Sequence, residues 1–221
     1  MSVNIVSEHN KKFEKQKRLA EWHEEGIRLR NTDPKTAIEL ADKITKYSTE
    51  SEHSKYQVLG TILKATCLCA LGKNDEALTT LDNAQRLHRQ YLPQNKKYLS
   101  DIFNCRGVIY SDQGNYQLAI NAFLSCLPLN KESELLKIYT NLGSTYSRAG
   151  DKIKAIEYWR KAQKIAEGSK DLRGIITCRY NIFFGYAEIG RTAEAKEGAY
   201  KLLSFIEQYP ARQQYLSLIH I

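Results

Sequence analysis

The sequence predicts an all-α protein built as a stack of about five helical hairpins. The first observation is an alanine that recurs at one place in five similar segments. These alanines are Ala37, Ala77, Ala119, Ala155 and Ala195, and they are 40, 42, 36 and 40 residues apart. Spacings in this range are typical of helical-hairpin arrays. The second observation is that proline occurs only 4 times in 221 residues, which permits long uninterrupted helices.

A glycine lies five residues before each of the last four alanines and predicts where one helix ends and the next begins. These glycines are Gly72, Gly114, Gly150 and Gly190. A tight turn after a helix favours glycine because it adopts the left-handed backbone conformation without steric cost. In the first hairpin Asp33 and Pro34 stand at the turn instead of a glycine. Aspartate caps the start of a helix and proline fits its first position, so the pair also predicts where the second helix begins.

Apolar and small residues at helical spacing on both sides of each turn predict ten helices. Tyr146, for example, lies nine residues before Ala155, and Trp159 lies four residues after it. The predicted helices cover residues 13–30, 34–48, 53–71, 74–90, 95–113, 116–127, 131–149, 152–167, 171–189 and 192–208. We divide the chain into an N-terminal extension (1–12), a repeat domain (13–209), the start of a further helix (210–215) and a separate tail (216–221).

Two segments, Phe103-NCRGVIYSDQGNYQLAINAFLSC and Tyr139-TNLGSTYSRAGDKIKAIEYWRKA, show the repeated pattern best. Their order of small residue, aromatic residue, turn glycine, alanine, aromatic residue and small residue resembles the tetratricopeptide-repeat family. The resemblance covers residues 13–209 and implies a right-handed superhelical solenoid that binds proteins or peptides. The repeats exceed the family's usual length of about 34 residues, and bulky Phe183 stands where a small residue is usual. They look like the elongated repeats of bacterial signalling and transcription-control proteins.

Composition and charge narrow the class of protein. Hydrophobic residues make up 42% of the chain and charged residues 26%, which fits an ordered protein and not a disordered one. The odd number of cysteines, five, and the lack of a signal peptide predict free thiols in the cytoplasm. No stretch approaches the length of a membrane span. The net charge of +8 is spread among acidic residues, so we expect solvated helix faces more than a nucleic-acid surface.

The family resemblance implies that the first helix of each hairpin lines a concave groove. The candidate groove residues are Asp101, Asn104 and Cys105 in the third hairpin, Lys137, Asn141, Ser144 and Arg148 in the fourth, and Thr177, Tyr180, Asn181 and Phe184 in the fifth. Asn141 and Asn181 occupy the same place in their hairpins, and side-chain amides can both donate to and accept from a peptide backbone. Lys137 and Arg148 would attract carboxylates. The alternative is that polar residues are simply tolerated on an exposed face.

The sequence has no glycine-rich phosphate loop, no HExxH motif and no CxxC pair. We therefore expect no catalytic residue, no metal and no cofactor in this chain. Its partner is expected to be a protein or an extended peptide, with nucleic acid and membrane disfavoured.

The last six residues, Leu216 to Ile221, match the translation of a transposon end used to tag sequencing libraries; a natural apolar tail is the alternative. We therefore expect that this chain is the N-terminal regulatory arm of a larger bacterial signalling protein, cut after Tyr215. A free-standing adaptor and an RNA-binding helical repeat are the alternatives. Truncation is expected to leave an apolar stripe on the last helix exposed for self-association. The stripe consists of Leu202, Leu203, Phe205 and Ile206.

Overall fold

The computed structural model describes residues 2–50 and 53–208, and these ranges are helical apart from short turns. Within them the α-helices are α1 (Ser2–Leu29), α2 (Pro34–Glu50), α3 (Ser54–Ala70), α4 (Asn74–Tyr91), α5 (Lys96–Asp112), α6 (Tyr116–Cys126), α7 (Leu136–Arg148), α8 (Lys152–Ser169), α9 (Leu172–Glu188) and α10 (Thr192–Glu207). The all-α prediction is confirmed. The predicted helix start at 210–215 and the tail at 216–221 lie outside the described residues.

The chain divides into two compact units, Met1–Ile109 and Tyr110–Ile221. In the first unit, α3 packs against both α2 and α4, and the apolar side chains between these helices form the core. In the second unit, α8 packs against both α7 and α9, and α10 packs against α9. These helices thus contact their neighbours in the chain, which is the arrangement that the hairpin pattern predicts.

The recurring alanines lie in these two cores. Ala37, Ala77, Ala119 and Ala155 are fully buried, and Ala195 is 8% exposed. A small side chain at this place lets the second helix of each hairpin approach its neighbours closely. The repeat seen in the sequence is therefore a repeat of helix packing.

Four hairpin turns share one construction. Each turn glycine has a positive φ angle, 72° at Gly72, 78° at Gly114, 90° at Gly150 and 76° at Gly190. In the first of them the Lys73 amide donates to the Leu68 carbonyl at 2.9 Å, and the same bond spanning five residues recurs at the other three. This is the hydrogen-bonding pattern that ends a helix with glycine in the left-handed conformation. In the first hairpin, as predicted, Asp33 Oδ1 instead accepts from the Thr36 amide at 3.2 Å.

Large and small residues are matched between helices of the second unit. The Trp159 ring on α8 is 3% exposed, and a Cβ at Gly143 on α7 would lie 2.4 Å from it. On α9, Phe183 occupies the position that Gly143 occupies on α7. In this hairpin the glycine is Gly198, on the second helix, α10. A Cβ at Gly198 on α10 would lie 2.7 Å from Phe183 Cβ. The bulky residue that departs from the family pattern is therefore accommodated by a glycine opposite it.

Two helix starts differ from the prediction. α1 begins at Ser2 and not at residue 13, because residues 2–12 contain no glycine or proline that would interrupt a helix. α7 begins at Leu136 and not at residue 131. Before it, the chain forms two short 3-10 helices, Leu127–Leu129 and Glu132–Glu134, in which backbone bonds join residues three apart.

The last helix was expected to expose an apolar stripe, but two of its four residues are buried and the other two, Leu203 and Phe205, are half-buried, so this expectation is wrong. Leu202 and Ile206 are each 1% exposed and pack with Ile176 of α9. They are buried because they face the first helix of their own hairpin. None of the helices in the described part of the chain combines the length and the apolar character that a bilayer crossing requires.

Candidate functional site

The candidate residues of the second unit lie on two helices that contact each other. On α7, Lys137, Asn141 and Ser144 follow one another at intervals of four and three residues. On α9, Thr177, Asn181 and Phe184 repeat these intervals. Side chains at such intervals share one helix face. We call these six residues the α7–α9 face.

Burial differs along the α7–α9 face. Asn141, Ser144, Thr177 and Asn181 are half-buried, whereas Lys137 is exposed. Asn141 and Asn181 occupy equivalent places on α7 and α9, and the two helices are in direct contact. The structure therefore brings the two predicted amides onto neighbouring helices.

Aromatic side chains occupy the middle of α9. The Phe184 ring is 46% exposed and stacks on Tyr180 with 6.1 Å between ring centroids. Tyr180 also meets the edge of Phe183 at 5.2 Å. Because Tyr180 is held between two other rings, Phe184 presents an apolar surface from a fixed position.

A buried thiol lies between α7 and α9. Cys178 of α9 is hydrogen-bonded to the side chain of Thr140 on α7. Burial raises the pKa of the Cys178 thiol to about 11, although the hydrogen bond acts in the opposite direction. At neutral pH this thiol stays protonated, so it joins the two helices and does not act as a nucleophile.

Arg148, the fourth α7 candidate, is already bound to other side chains. Its Nη1 atom donates to Ser111 Oγ and to Asp112 Oδ1, each at 3.1 Å. Its guanidinium carbon lies 5.6 Å from the centre of the Tyr116 ring. A ligand carboxylate would have to compete with these contacts, and an exposed ion pair of this kind contributes about 0.2–1 kcal/mol.

The candidates of the first unit do not form a comparable face. Asp101 is exposed, but Asn104 is 5% exposed and Cys105 packs partly against the core of that unit. Because Asn104 is buried, its side chain offers little surface to a ligand.

One residue of the α9 face was missed by the sequence reasoning. Arg173 lies four residues before Thr177 and is exposed. The helical spacing that relates Thr177 to Asn181 also relates Arg173 to Thr177, so the sequence itself carries this signal.

Two further features of the described residues bear on chemistry. A cavity of about 600 Å³ lies on another side of α9, between α8 and α10, with Ile182, Phe183 and Tyr186 in its lining. In the described ranges, no cluster of three or more His, Cys, Asp or Glu side chains is arranged to hold a metal ion.

Residues 98–168 match the family model described as tetratricopeptide repeat. This range contains both segments that carry the repeated pattern most clearly in the sequence. No curated protein sequence matches the chain.

Solved structures with TPR-like repeats share this fold. A putative kinesin light chain with nearly identical TPR-like repeats from Podosopora anserina has 18% identity, covering 88% of this chain and 97% of its own, with a TM-score of 0.67. MamA from Desulfovibrio magneticus RS-1 has 16% identity over 87% of this chain and 97% of its own, with a TM-score of 0.62. The apo form of RapI has 17% identity and a TM-score of 0.69; the match covers 99% of this chain but 63% of RapI. Residues 98–168 therefore match the tetratricopeptide repeat, and the all-α fold of the chain is similar to the TPR-like fold of these structures.

Proposed function

We propose that this chain is a scaffold that binds another protein through an extended peptide segment lying on the α7–α9 face. The observation that carries the proposal is the pair Asn141 and Asn181, which occupy equivalent places on two contacting helices. Neighbouring helix axes are about 8–10 Å apart, and an extended chain advances about 3.3 Å per residue. Two amides on neighbouring helices therefore match backbone groups about three residues apart in a bound peptide.

The surroundings of these amides favour peptide binding. The face is built on helices packed into the core of the second unit, so its side chains start from fixed positions. Thr177 and Ser144 add hydroxyl groups, and Phe184 adds an exposed ring. A face with hydrogen-bonding groups and one apolar contact suits a polypeptide, whose backbone is polar and whose side chains vary.

The alanine variant N141A/N181A tests the proposal. Peptides are first selected from a random 12-residue display library on the full chain, and their affinities are then measured by fluorescence anisotropy. Two lost hydrogen bonds, each contributing about 0.5–1.5 kcal/mol, predict a loss of affinity of roughly tenfold. The variant N83A/N121A, which removes asparagines from α4 and α6, is the matched control and is expected to bind within about twofold of the native chain.

Two results would contradict peptide binding on this face. The library could yield no binder, or its binders could have equal affinity for N141A/N181A and for the control. RNA binding is the alternative suggested by the net charge of +8. It is disfavoured because Arg106, Arg148 and Arg179 already pair with carboxylates. An RNA-binding chain would retain labelled single-stranded RNA with an affinity that falls steeply with salt.

The more specific role, that of a regulatory arm in a larger signalling protein, stays a prediction from the sequence. Resequencing the source DNA across the codon for Tyr215, from a primer inside the repeats, tests it. An open frame that runs on into an output domain would support a regulatory arm. A genuine stop after the Ile221 codon would favour a free-standing adaptor.

A further inference from the structure

A cluster of tyrosine rings packs between α7 and α8. Tyr146 of α7 and Tyr158 of α8 are stacked, with 5.4 Å between ring centroids and 7° between ring planes. Tyr139 of α7 adds a third ring, 5.9 Å from that of Tyr158. Lys161 Nζ lies 4.9 Å from the centre of the Tyr158 ring, and Lys154 Nζ lies 5.3 Å from the centre of the Tyr146 ring. These three rings and two cations form one compact cluster.

Each member of this cluster has a counterpart in the next hairpin, and every counterpart lines the cavity of about 600 Å³ between α8 and α10. Tyr158 corresponds to Gly198, since each lies three residues after the recurring alanine, Ala155 or Ala195. The other correspondences are Tyr146 with Tyr186, Tyr139 with Arg179, Lys161 with Lys201 and Lys154 with Glu194. A glycine therefore replaces the central ring of the cluster, and the cavity lies at that place.

The chain cannot fill this cavity with a side chain at position 198. A Cβ at Gly198 would lie 2.7 Å from Phe183 Cβ, and core atoms packed this closely would overlap. Arg179, which replaces Tyr139, packs instead on the Phe205 ring, with 4.4 Å between its guanidinium carbon and the ring centre. The space that Tyr158 occupies in one hairpin is therefore open in the next.

The walls of the cavity are aromatic and fixed in position. Phe183 and Tyr186 of α9 and Phe205 of α10 contribute rings. Tyr186 is 8% exposed, Arg160 donates to its hydroxyl group, and the guanidinium carbon of Arg191 lies 4.9 Å from its ring centre. A ligand would thus meet side chains that are ordered before it binds. Apolar cavities of about 300–1,000 Å³ are typical of small-molecule sites.

The charges around the cavity are compensated. Three ion pairs account for the charged residues of the described lining: Arg179 with Glu167, Lys201 with Glu197 and Glu194 with Arg191. Because each of these charges has a partner of opposite sign, a charged ligand would have to displace one of them. The cavity therefore fits a neutral ligand.

We propose that this cavity binds a small, neutral, planar aromatic molecule, such as a naphthol or an indole. Its ring takes the place that the Tyr158 ring has in the preceding hairpin and packs against Phe183 and Tyr186. Lys201 lies beside this ring, as Lys161 lies over Tyr158. The site is on another side of α9 from the α7–α9 face, so this inference does not rest on the peptide-binding function proposed above.

Equilibrium dialysis of the full chain against 2-naphthol tests the proposal. One saturable site is expected, with a dissociation constant below about 1 mM. The saturated counterpart, 2-decalol, keeps the hydroxyl group but lacks a π face, and it is expected to bind at least about fivefold more weakly. Absence of saturable binding, or equal binding of 2-decalol, would refute the site. The peptide Gly-Tyr-Gly carries a phenol ring on a polypeptide, and tighter binding of this peptide than of 2-naphthol would refute a small-molecule ligand.

A change in the cavity wall locates the site. Replacing Phe183 by leucine keeps an apolar side chain but removes one ring, and it is expected to weaken 2-naphthol binding at least about threefold. The variant F103L makes the same change on α5 and is expected to bind within about 1.5-fold of the native chain. Circular dichroism checks that both variants keep their helices. Equal affinities of F183L and F103L for 2-naphthol would place the ligand elsewhere and overturn the proposal.

Removing the tyrosine ring of the preceding hairpin should create a second site. The variant Y158A opens the place that corresponds to the cavity and is expected to bind two molecules of 2-naphthol per chain, where the native chain binds one. If Y158A keeps its full helical signal and still binds one molecule, the correspondence between the two places is wrong and the inference falls with it. Peptide binding through Asn141 and Asn181 would stand in either case.

Discussion

An alanine in place of Gly143 adds one methyl group where α7 meets the Trp159 ring. Its Cβ would lie 2.4 Å from both Cδ1 and Nε1 of the indole and 2.9 Å from Cε2. The ring is buried and rigid, and Gly185 of α9 closes its other side, with a Cβ there 3.2 Å from Cζ3. The ring therefore has no space into which it can move, and one of the two helices must shift.

The expected cost follows from two opposing terms. Overpacking a core costs typically about 1–3 kcal/mol, and three contacts this short place Gly143→Ala at the upper end. The higher helix propensity of alanine returns about 1 kcal/mol. We therefore expect the free energy of unfolding to fall by about 2 kcal/mol. With a urea dependence of about 1–3 kcal/mol per molar, the unfolding midpoint should fall by roughly 1 M.

Urea unfolding of the second unit measures this change. Trp159 fluorescence in a W22F background reports on the second unit alone, and circular dichroism follows all helices. Gly168 of α8 supplies the control because a Cβ there would meet no atom within 4 Å. Gly168→Ala is expected to raise the stability by about 0.5–1 kcal/mol. If Gly143→Ala unfolds at the same urea concentration as Gly168→Ala, the packing of Trp159 against Gly143 is wrong.

Two further predictions concern titration and thiol reactivity. Burial, assisted by the charge of Lys55, lowers the pKa of His23 below its usual 6.5. As the pH falls, His23 is therefore protonated in the unfolded chain at a higher pH than in the folded chain. The free energy of unfolding should therefore be highest above pH 6.5 and fall as the pH drops below it. Urea titrations at pH 7.5 and 5.5 measure this fall, which should be smaller for H23Q than for the native chain. Equal falls in the two proteins would contradict His23 as the origin. The pKa of the Cys178 thiol is raised to about 11 and the thiol is buried, so it should react with a disulfide reagent at pH 8 only after unfolding. Half-buried Cys69 and Cys105 should react first. A fast reaction of Cys178, located by mass spectrometry, would contradict its burial.

The sequence was sufficient to predict the fold because its signals are local. A glycine at a helix end indicates one turn of the backbone, and an alanine five residues later indicates one close contact between helices. The structure confirms both, with a positive φ angle at Gly150 and full burial at Ala155. The pattern predicted helix ends within about two residues at most places, since the turns are built alike.

Contacts between residues far apart in sequence were not predictable in the same way. Arg148 was selected as a ligand for carboxylates, but it pairs with Asp112, which lies 36 residues earlier. No local pattern distinguishes a paired arginine from a free one. Phe183 departs from the repeat pattern, and the glycine that compensates for its size, Gly198, lies on a different helix. The identity of a bound peptide is equally non-local, since it depends on which side chains two helices present together.

The matching of large and small residues restricts how these repeats can be recombined. The Trp159 ring on α8 requires a glycine at position 143, and Phe183 requires Gly198 on α10. Deleting residues 151–190 would join two turns of the same construction, yet it would place Gly143 opposite Gly198 and leave a void. A crossover between whole hairpins, near Lys170 where the chain passes from α8 to α9 with a φ of 56°, keeps these two pairs intact, although it separates Trp159 from Gly185. Gene duplication or engineered shuffling of this protein should therefore tolerate breakpoints between hairpins and reject breakpoints at the glycine turns inside them.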